Sequence, residues 1–130
     1  MATVVVMDDD NVIAKMIATI VESQGHQVFI ADNVPAAWDL LAKKPNLMIL
    51  DIDLPNETGI DLVMRMRGTS EYEQIPVLFV TAFAERARPL QATGRGAVDI
   101  VEKPFSVQEL TKILQHMLEN TAKIARPMQE

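Results

Sequence analysis

The chain has 130 residues, 18 of them acidic and 12 basic for a formal net charge of −6, and it has no cysteine. That length holds one domain with a core of ordinary size. The acidic balance excludes a general phosphate-backbone surface, which needs clustered Lys and Arg, and the missing cysteines exclude disulfides, thiolate catalysis and cysteine-ligated zinc. No apolar run approaches the roughly 18 residues of a membrane span. The amino terminus lacks the basic start and apolar core of a secretory signal. A cytoplasmic protein is expected, with no direct contact to nucleic acid or membrane. Arg86, Arg88 and Arg95 form a small basic group that reads as a solvated helix face or a protein-docking patch.

The first strand, Thr3–Met7, ends in three consecutive aspartates, Asp8, Asp9 and Asp10. Like charges at the end of a buried strand repel, so a cation, hydrogen-bond donors or exposure must offset them. A helix follows from about Asn11 to Gln24, with Val12, Ile13, Met16, Ile17, Ile20 and Val21 on one broad apolar stripe. Asp10 stands at its N-cap, and Gly25 offers a left-handed stop. Gln27–Ala31 is the second strand. The second helix takes Asn33 as N-cap and Pro35 in its first turn. It carries Val34, Ala37, Trp38 and Leu41 at helical spacing and stops at Lys44-Pro45.

Leu47–Asp51 is the third strand, and about Thr58 to Arg67 the third helix, with Ile60, Val63, Met64 and Arg67 near one face. The fourth strand is Val77–Val80. The next segment, AERARPLQATGRG, carries Pro89 in its middle and Gly94 and Gly96 at its end. A proline inside a helix costs about 3 kcal/mol. The fourth helix is therefore expected to be short, to start near Arg88, or to be irregular before Pro89. Val98–Val101 is the fifth strand. The last helix starts after Ser106, with Val107, Leu110, Ile113, Leu114, Met117 and Leu118 inward. Beyond Leu118 it can extend to Ile124 or Arg126, before Pro127 breaks it. Residues 1–120 read as the domain, and 121–130 as a tail or the start of a linker. The eight methionines and Trp38 read as packing, and His26 and His116 as surface residues.

Strand and helix alternate five times, which defines an α/β, doubly wound domain. The strands are nearly continuous in apolar residues, as strands buried on both faces of a parallel sheet are. Ligands of such sheets lie outside the carboxyl ends of the strands. Asp8, Asp9, Asp51, Thr81 and Lys103 all fall at that rim. An all-oxygen ligand set selects a hard cation, most naturally Mg2+. A cation, an ammonium, a hydroxyl and a carboxylate nucleophile together suit phosphoryl transfer, which is mostly positioning and charge neutralisation.

Across residues 2–120 the chain resembles the receiver domain of two-component response regulators, the CheY-like fold. The resemblance rests on VVVMDDDN, MILDIDLPNETG, VLFVTAF and VEKPF in that order. It implies a (βα)5 domain with a five-stranded parallel sheet in the order 2-1-3-4-5. It implies that Asp51 is the phospho-acceptor. Asp8 and Asp9 become the acidic pair around Mg2+, with the backbone carbonyl of Asp53 completing the protein ligands. It implies that Thr81 and Lys103 bind the phosphoryl group, that Ala82 leaves a path to it, and that the Lys103-Pro104 bond is cis. Gly59 would permit the turn into the third helix. The implied partners are a sensor histidine kinase or histidine phosphotransfer protein, and a downstream target or an output domain. Target binding, and a homodimer, would use the face of helix four, strand five and helix five. Such a domain assists its own phosphorylation and dephosphorylation without being an independent enzyme.

Two places depart from the family pattern. Ile100 stands where Tyr or Phe is usual, so an aromatic ring cannot report phosphorylation there. Coupling then runs through the Thr81–Pro89 loop. Asp53 and Phe83, each two residues beyond a site residue, are candidates for tuning phosphate lifetime. Phe83 would shield the group, and Asp53 would repel an anion or orient water. Two other readings stand beside the first: a phosphate-independent docking module of the same fold, and a Mg2+-dependent phosphatase using Asp51, similar to the haloacid dehalogenase-like enzymes.

Overall fold

The computed structural model describes residues 1–92 and 96–125, with side chains described as far as residue 119. The expectations for Gly94, Arg95, Arg126 and Pro127, and for the side chain of Ile124, lie outside the described residues. The elements are β1 (Thr3–Met7), α1 (Asn11–Ser23), β2 (Gln27–Ala31), α2 (Val34–Leu40), β3 (Leu47–Leu50), α3 (Gly59–Arg67), β4 (Val77–Thr81), α4 (Ala84–Gln91), β5 (Val98–Glu102) and α5 (Val107–Ala125). The sheet is parallel throughout, in the order β2-β1-β3-β4-β5.

Alternation along each strand divides the core in two. On β1, Val5 and Met7 face the layer with Ala37 of α2, Leu62 and Val63 of α3 and Ala87 of α4. Val4 and Val6 face Ile17 and Val21 of α1 and Leu110 and Leu114 of α5. Burial on both faces holds for the inner strands β1, β3 and β4. The edge strands β2 and β5 are only partly covered, because each has a neighbour on one side alone.

Register places the site. Met7 lies opposite Leu50, so Asp8 and Asp51 emerge side by side as the next residues. Thr81 lies opposite Glu102, which puts Lys103 one step past the same edge.

Several helix faces differ from expectation. The inward seam of α1 is Ala14, Ile17, Ala18 and Val21, at the i, i+3, i+4, i+7 spacing, with Ile20 beside it. Its alanines let the helix approach the sheet. Val12 and Met16 lie off that seam and are exposed, Val12 by 71%. On α3 the seam is Gly59, Leu62, Val63, Met66 and Arg67, and Met64 points to solvent. Val107, in the first turn of α5, is 57% exposed, not inward. The methionines therefore split: Met7, Met48, Met66 and Met117 pack, whereas Met1, Met16 and Met64 are exposed, and Met128 lies outside the described residues.

Helix α4 starts at Ala84, not near Arg88, and contains Pro89. It is short, at eight residues. Glu85 and Pro89 are both exposed, so the carbonyl that Pro89 leaves without a donor lies on the solvent side, where water replaces the bond. Helix α2 tightens into a 3-10 turn at Leu41–Lys43 and ends with Lys44 at φ 54°. Gly25, at φ 91°, provides the left-handed stop after α1. His26 is half-buried, not a plain surface residue: its Nδ1 accepts the Ala2 N–H at 3.0 Å. Trp38 packs edge-on against Tyr72, with the Arg65 guanidinium over its ring. No described helix is long and apolar enough to cross a membrane.

Candidate functional site

The three aspartates of the opening run have three different environments. Asp10 caps α1, accepting the Val12 and Ile13 N–H groups at 2.9 and 3.2 Å. Asp8 is 1% exposed; its Oδ1 accepts the Asp10 N–H at 2.9 Å and its Oδ2 accepts from Lys103 Nζ at 3.0 Å. Asp9 is exposed.

Asp51 is 8% exposed and held similarly, accepting the Ile52 N–H at 2.7 Å on Oδ1 and Lys103 Nζ at 3.2 Å on Oδ2. Oxygens of Asp8, Asp9 and Asp51 all lie within 4.8 Å of one another. Lys103 thus bridges two carboxylates, with a third alongside.

Charge at this site is not balanced. Burial raises the Asp8 carboxyl above its usual value, and Asp51 adds to that, against the lowering pull of the Asp10 N–H and Lys103. Burial alone would lower Lys103, but its hydrogen bond to Asp8 and the charges of Asp51 and Asp8 outweigh it and leave the ammonium raised. Burial is the chief cause at Asp8, and the two carboxylates that Lys103 touches are the cause at Lys103, so three clustered carboxylates have one ammonium among them. A hard divalent cation fits this all-oxygen, over-negative set.

Thr81 is fully buried. Its hydroxyl oxygen accepts the Phe83 N–H at 2.9 Å, at the entrance to α4, and its carbonyl accepts the Lys103 N–H at 2.9 Å. Ala82 is exposed. Phe83 is exposed too, with the Arg86 guanidinium 5.8 Å from its ring centroid. The Lys103-Pro104 peptide is cis. Ile100 lies opposite Phe79 and packs, half-buried, into the layer that holds Ala87 of α4. Asp53 is exposed and pairs through its backbone with Thr58 in an antiparallel bridge. Gly59 serves close approach, not a special turn: a Cβ there would overlap the backbone carbonyl oxygen of Asp51.

Sequence reasoning passed over Glu57. Its Oε2 accepts the Val34 N–H at 3.3 Å, and with Asp9, Asp32, Asn33 and Leu54 it lines a cleft of about 410 Å3 beside the aspartates. Nothing in the local sequence announces a bond spanning 23 residues.

This fold, with acidic and basic side chains converging at the carboxyl ends of β1, β3 and β5, defines the receiver class. The family model described as the response regulator receiver domain matches residues 4–115. The chain belongs to that family, the receiver domains of two-component response regulators. It is 34% identical to the phosphate regulon transcriptional regulatory protein PhoB of Pseudomonas aeruginosa over 120 residues, 92% of this chain and 52% of that protein. It is 31% identical to a chemotaxis protein CheY homolog of Campylobacter jejuni over 116 residues, 87% of this chain and 89% of that one. The chain therefore spans about half of the first relative and most of the second. Among solved structures, chemotaxis protein CheY4 of Vibrio cholerae superposes with a TM-score of 0.79 at 29% identity, covering 90% of this chain and 98% of that one. NtrX of Brucella abortus gives 0.81 at 27% identity, covering 98% of this chain and 29% of that one.

Proposed function

We propose that Asp51 accepts a phosphoryl group from the phosphohistidine of a sensor histidine kinase or histidine phosphotransfer protein. An oxygen of the Asp51 carboxylate attacks phosphorus in line as the phosphorus–nitrogen bond breaks. The imidazole leaves with the electron pair, and an acyl phosphate remains on Asp51. The carboxylates of Asp8, Asp9 and Asp51, with the backbone carbonyl of Asp53, are the groups to hold Mg2+. When bound, it supplies neutralising charge for the phosphoryl oxygens. Lys103 contributes the second positive charge, moving from its two carboxylates to the phosphoryl group. Ala82 leaves the approach open. Phe83 and Asp53 flank it and tune how long the phosphate survives.

The switch follows from Thr81. Its hydroxyl can donate to a phosphoryl oxygen, and turning to do so strains or breaks the bond it accepts from the Phe83 N–H. With Ile100 in place of an aromatic ring, the signal passes through this loop into α4. Phosphate shifts the balance only by its different interaction with the two states. A downstream target, an output domain or a second copy of the chain then distinguishes the states at the face of α4, β5 and α5. Residues 1–120 carry these functions in the cytoplasm, and the domain assists its own phosphorylation and dephosphorylation without acting as an independent enzyme.

The observation that carries this reading is Lys103 Nζ bridging Asp8 and Asp51 at 3.0 and 3.2 Å, within a cluster of three carboxylates. The test is intact mass after incubation with Mg2+ and a small acyl-phosphate donor. One phosphoryl group is expected, absent without Mg2+ and absent in Asp51→Asn. A folded chain that binds Mg2+ but gains no phosphate from this donor or from histidine kinases is a phosphate-independent docking module instead.

A further inference from the structure

The loop between β3 and α3 carries the Asp53 carbonyl, so its placement decides whether the cation site is formed in advance. Its internal bonds close it on itself: the Leu54 N–H donates to the Glu57 carbonyl at 3.2 Å and the Gly59 N–H to the Ile52 carbonyl at 2.9 Å, the two bonds that pair Asp53 with Thr58. Leu54, 7% exposed, anchors its apolar side in the core. On the polar side, Glu57 Oε2 reaches across the cleft to the Val34 N–H at 3.3 Å.

That donor has few other places to go. The first turn of a helix leaves its N–H groups without intrahelical partners. In α2, Ala36 N–H is taken by the Asn33 side chain at 2.8 Å, and Ala37 N–H makes the first helical bond, to the Asn33 carbonyl at 3.1 Å. Pro35 has no N–H to satisfy. Val34, 2% exposed, is completed from another loop, by Glu57. One side chain therefore completes the cap of α2 and ties down the loop that bears Asp53. Glu57 and Asp9 line the same cleft, which places this tie beside the cation-binding carboxylates.

We infer that Glu57 is a positioning residue, a latch from the β3–α3 loop to the start of α2 that holds the Asp53 carbonyl ready beside Asp9 and Asp51. This rests on the proposed Mg2+ site. It concerns how that site is preorganised, not which groups ligate. A polar group that fixes a ligand's orientation typically changes metal affinity without touching the metal.

The test uses the full chain as wild type, Glu57→Ala, Glu57→Asp and Glu57→Gln. Amide exchange without metal reads the latch itself, and an NMR titration with Mg2+ alone reads the site. In Glu57→Ala, exchange at Val34 accelerates about tenfold, the equivalent of one lost hydrogen bond, and Mg2+ affinity falls roughly tenfold. Glu57→Asp keeps the charge but not the reach, and behaves as the alanine variant. Glu57→Gln keeps an acceptor without the charge, and stays near wild type in both readouts. Phosphorylation at saturating Mg2+ is restored in all three.

Three results overturn the inference. One is Glu57→Asp or Glu57→Ala binding Mg2+ like wild type in a folded chain. Another is Glu57→Gln binding as weakly as Glu57→Ala, which makes Glu57 a source of charge and not a latch. The third is a wild-type chain that neither binds Mg2+ nor takes up phosphate, which removes the site reading and the latch together. Should the alanine variant fail to fold, the Asp and Gln pair decides alone.

Discussion

Buried or half-buried polar side chains lie at both ends of the sheet, and the two ends use them differently. At the amino-terminal end such groups close on backbone. His26 accepts from the Ala2 N–H, and Asn46 Oδ1 accepts from the Thr3 N–H at 2.9 Å. Arg67, 6% exposed, donates to the carbonyls of Glu73, Ile75 and Ala97 at 3.1, 2.7 and 3.5 Å. Each pins a loop or a strand start through backbone groups. At the carboxyl end, Asp8 and Asp51 each accept one backbone N–H and one bond from Lys103, and the cluster with Asp9 is left with an excess of negative charge. Burial alone therefore does not mark a working residue. The distinguishing feature is a set of charges that its own neighbours do not balance.

Substitutions at the two ends separate chemistry from stability. The largest effect belongs to Lys103→Met. It leaves the chain folded but lowers the rate of phosphorylation by on the order of a hundredfold, read from a mass time course, because a charge aimed at the transferring group is lost. Arg67→Met does the reverse. Three carbonyls lose a charged donor, so urea denaturation shows a loss of about 2–4 kcal/mol, while phosphorylation of the folded fraction keeps its wild-type rate. Gly59→Ala falls between the classes. Its methyl group meets the Asp51 carbonyl, costing about 1–3 kcal/mol and slowing phosphorylation together.

The smallest effect is a pH dependence at the amino-terminal end. Burial, then the amino-terminal charge, pushes His26 below the usual histidine value. A depressed pKa means the folded state favours neutral imidazole. The resulting stability is present above about pH 6.5, the unfolded value, and is lost as pH falls through the lower folded value. Denaturation between pH 8 and pH 5 should show this slope, and His26→Gln should flatten it without altering phosphorylation.

The convergence at the carboxyl end is legible in sequence because the residues that meet there stand next to strand ends. Asp8, Asp51, Thr81 and Lys103 each follow or finish a strand, and a parallel sheet brings such positions together. The amino-terminal end was not legible, since Arg67 and His26 act through carbonyl and amide partners that have no sequence signature. Arg67 was placed on the inner face of its helix by spacing, but spacing says nothing of how a buried guanidinium is satisfied. Helix faces failed where a wide apolar stripe concealed a narrower seam, as with Val12 and Met16 of α1. Helix α4 began earlier than Pro89 suggested, because a solvent-facing proline forfeits a bond that water replaces.

The most direct test of the imbalance is thermal unfolding with and without Mg2+. A ligand that binds only the folded state adds RT ln(1 + [L]/Kd), about 2.7 kcal/mol at one hundred times Kd. Wild type and Arg67→Met should both gain stability along that curve, and Asp9→Asn should gain far less. An identical melting temperature for wild type with and without Mg2+, or an undiminished shift in Asp9→Asn, would contradict the account.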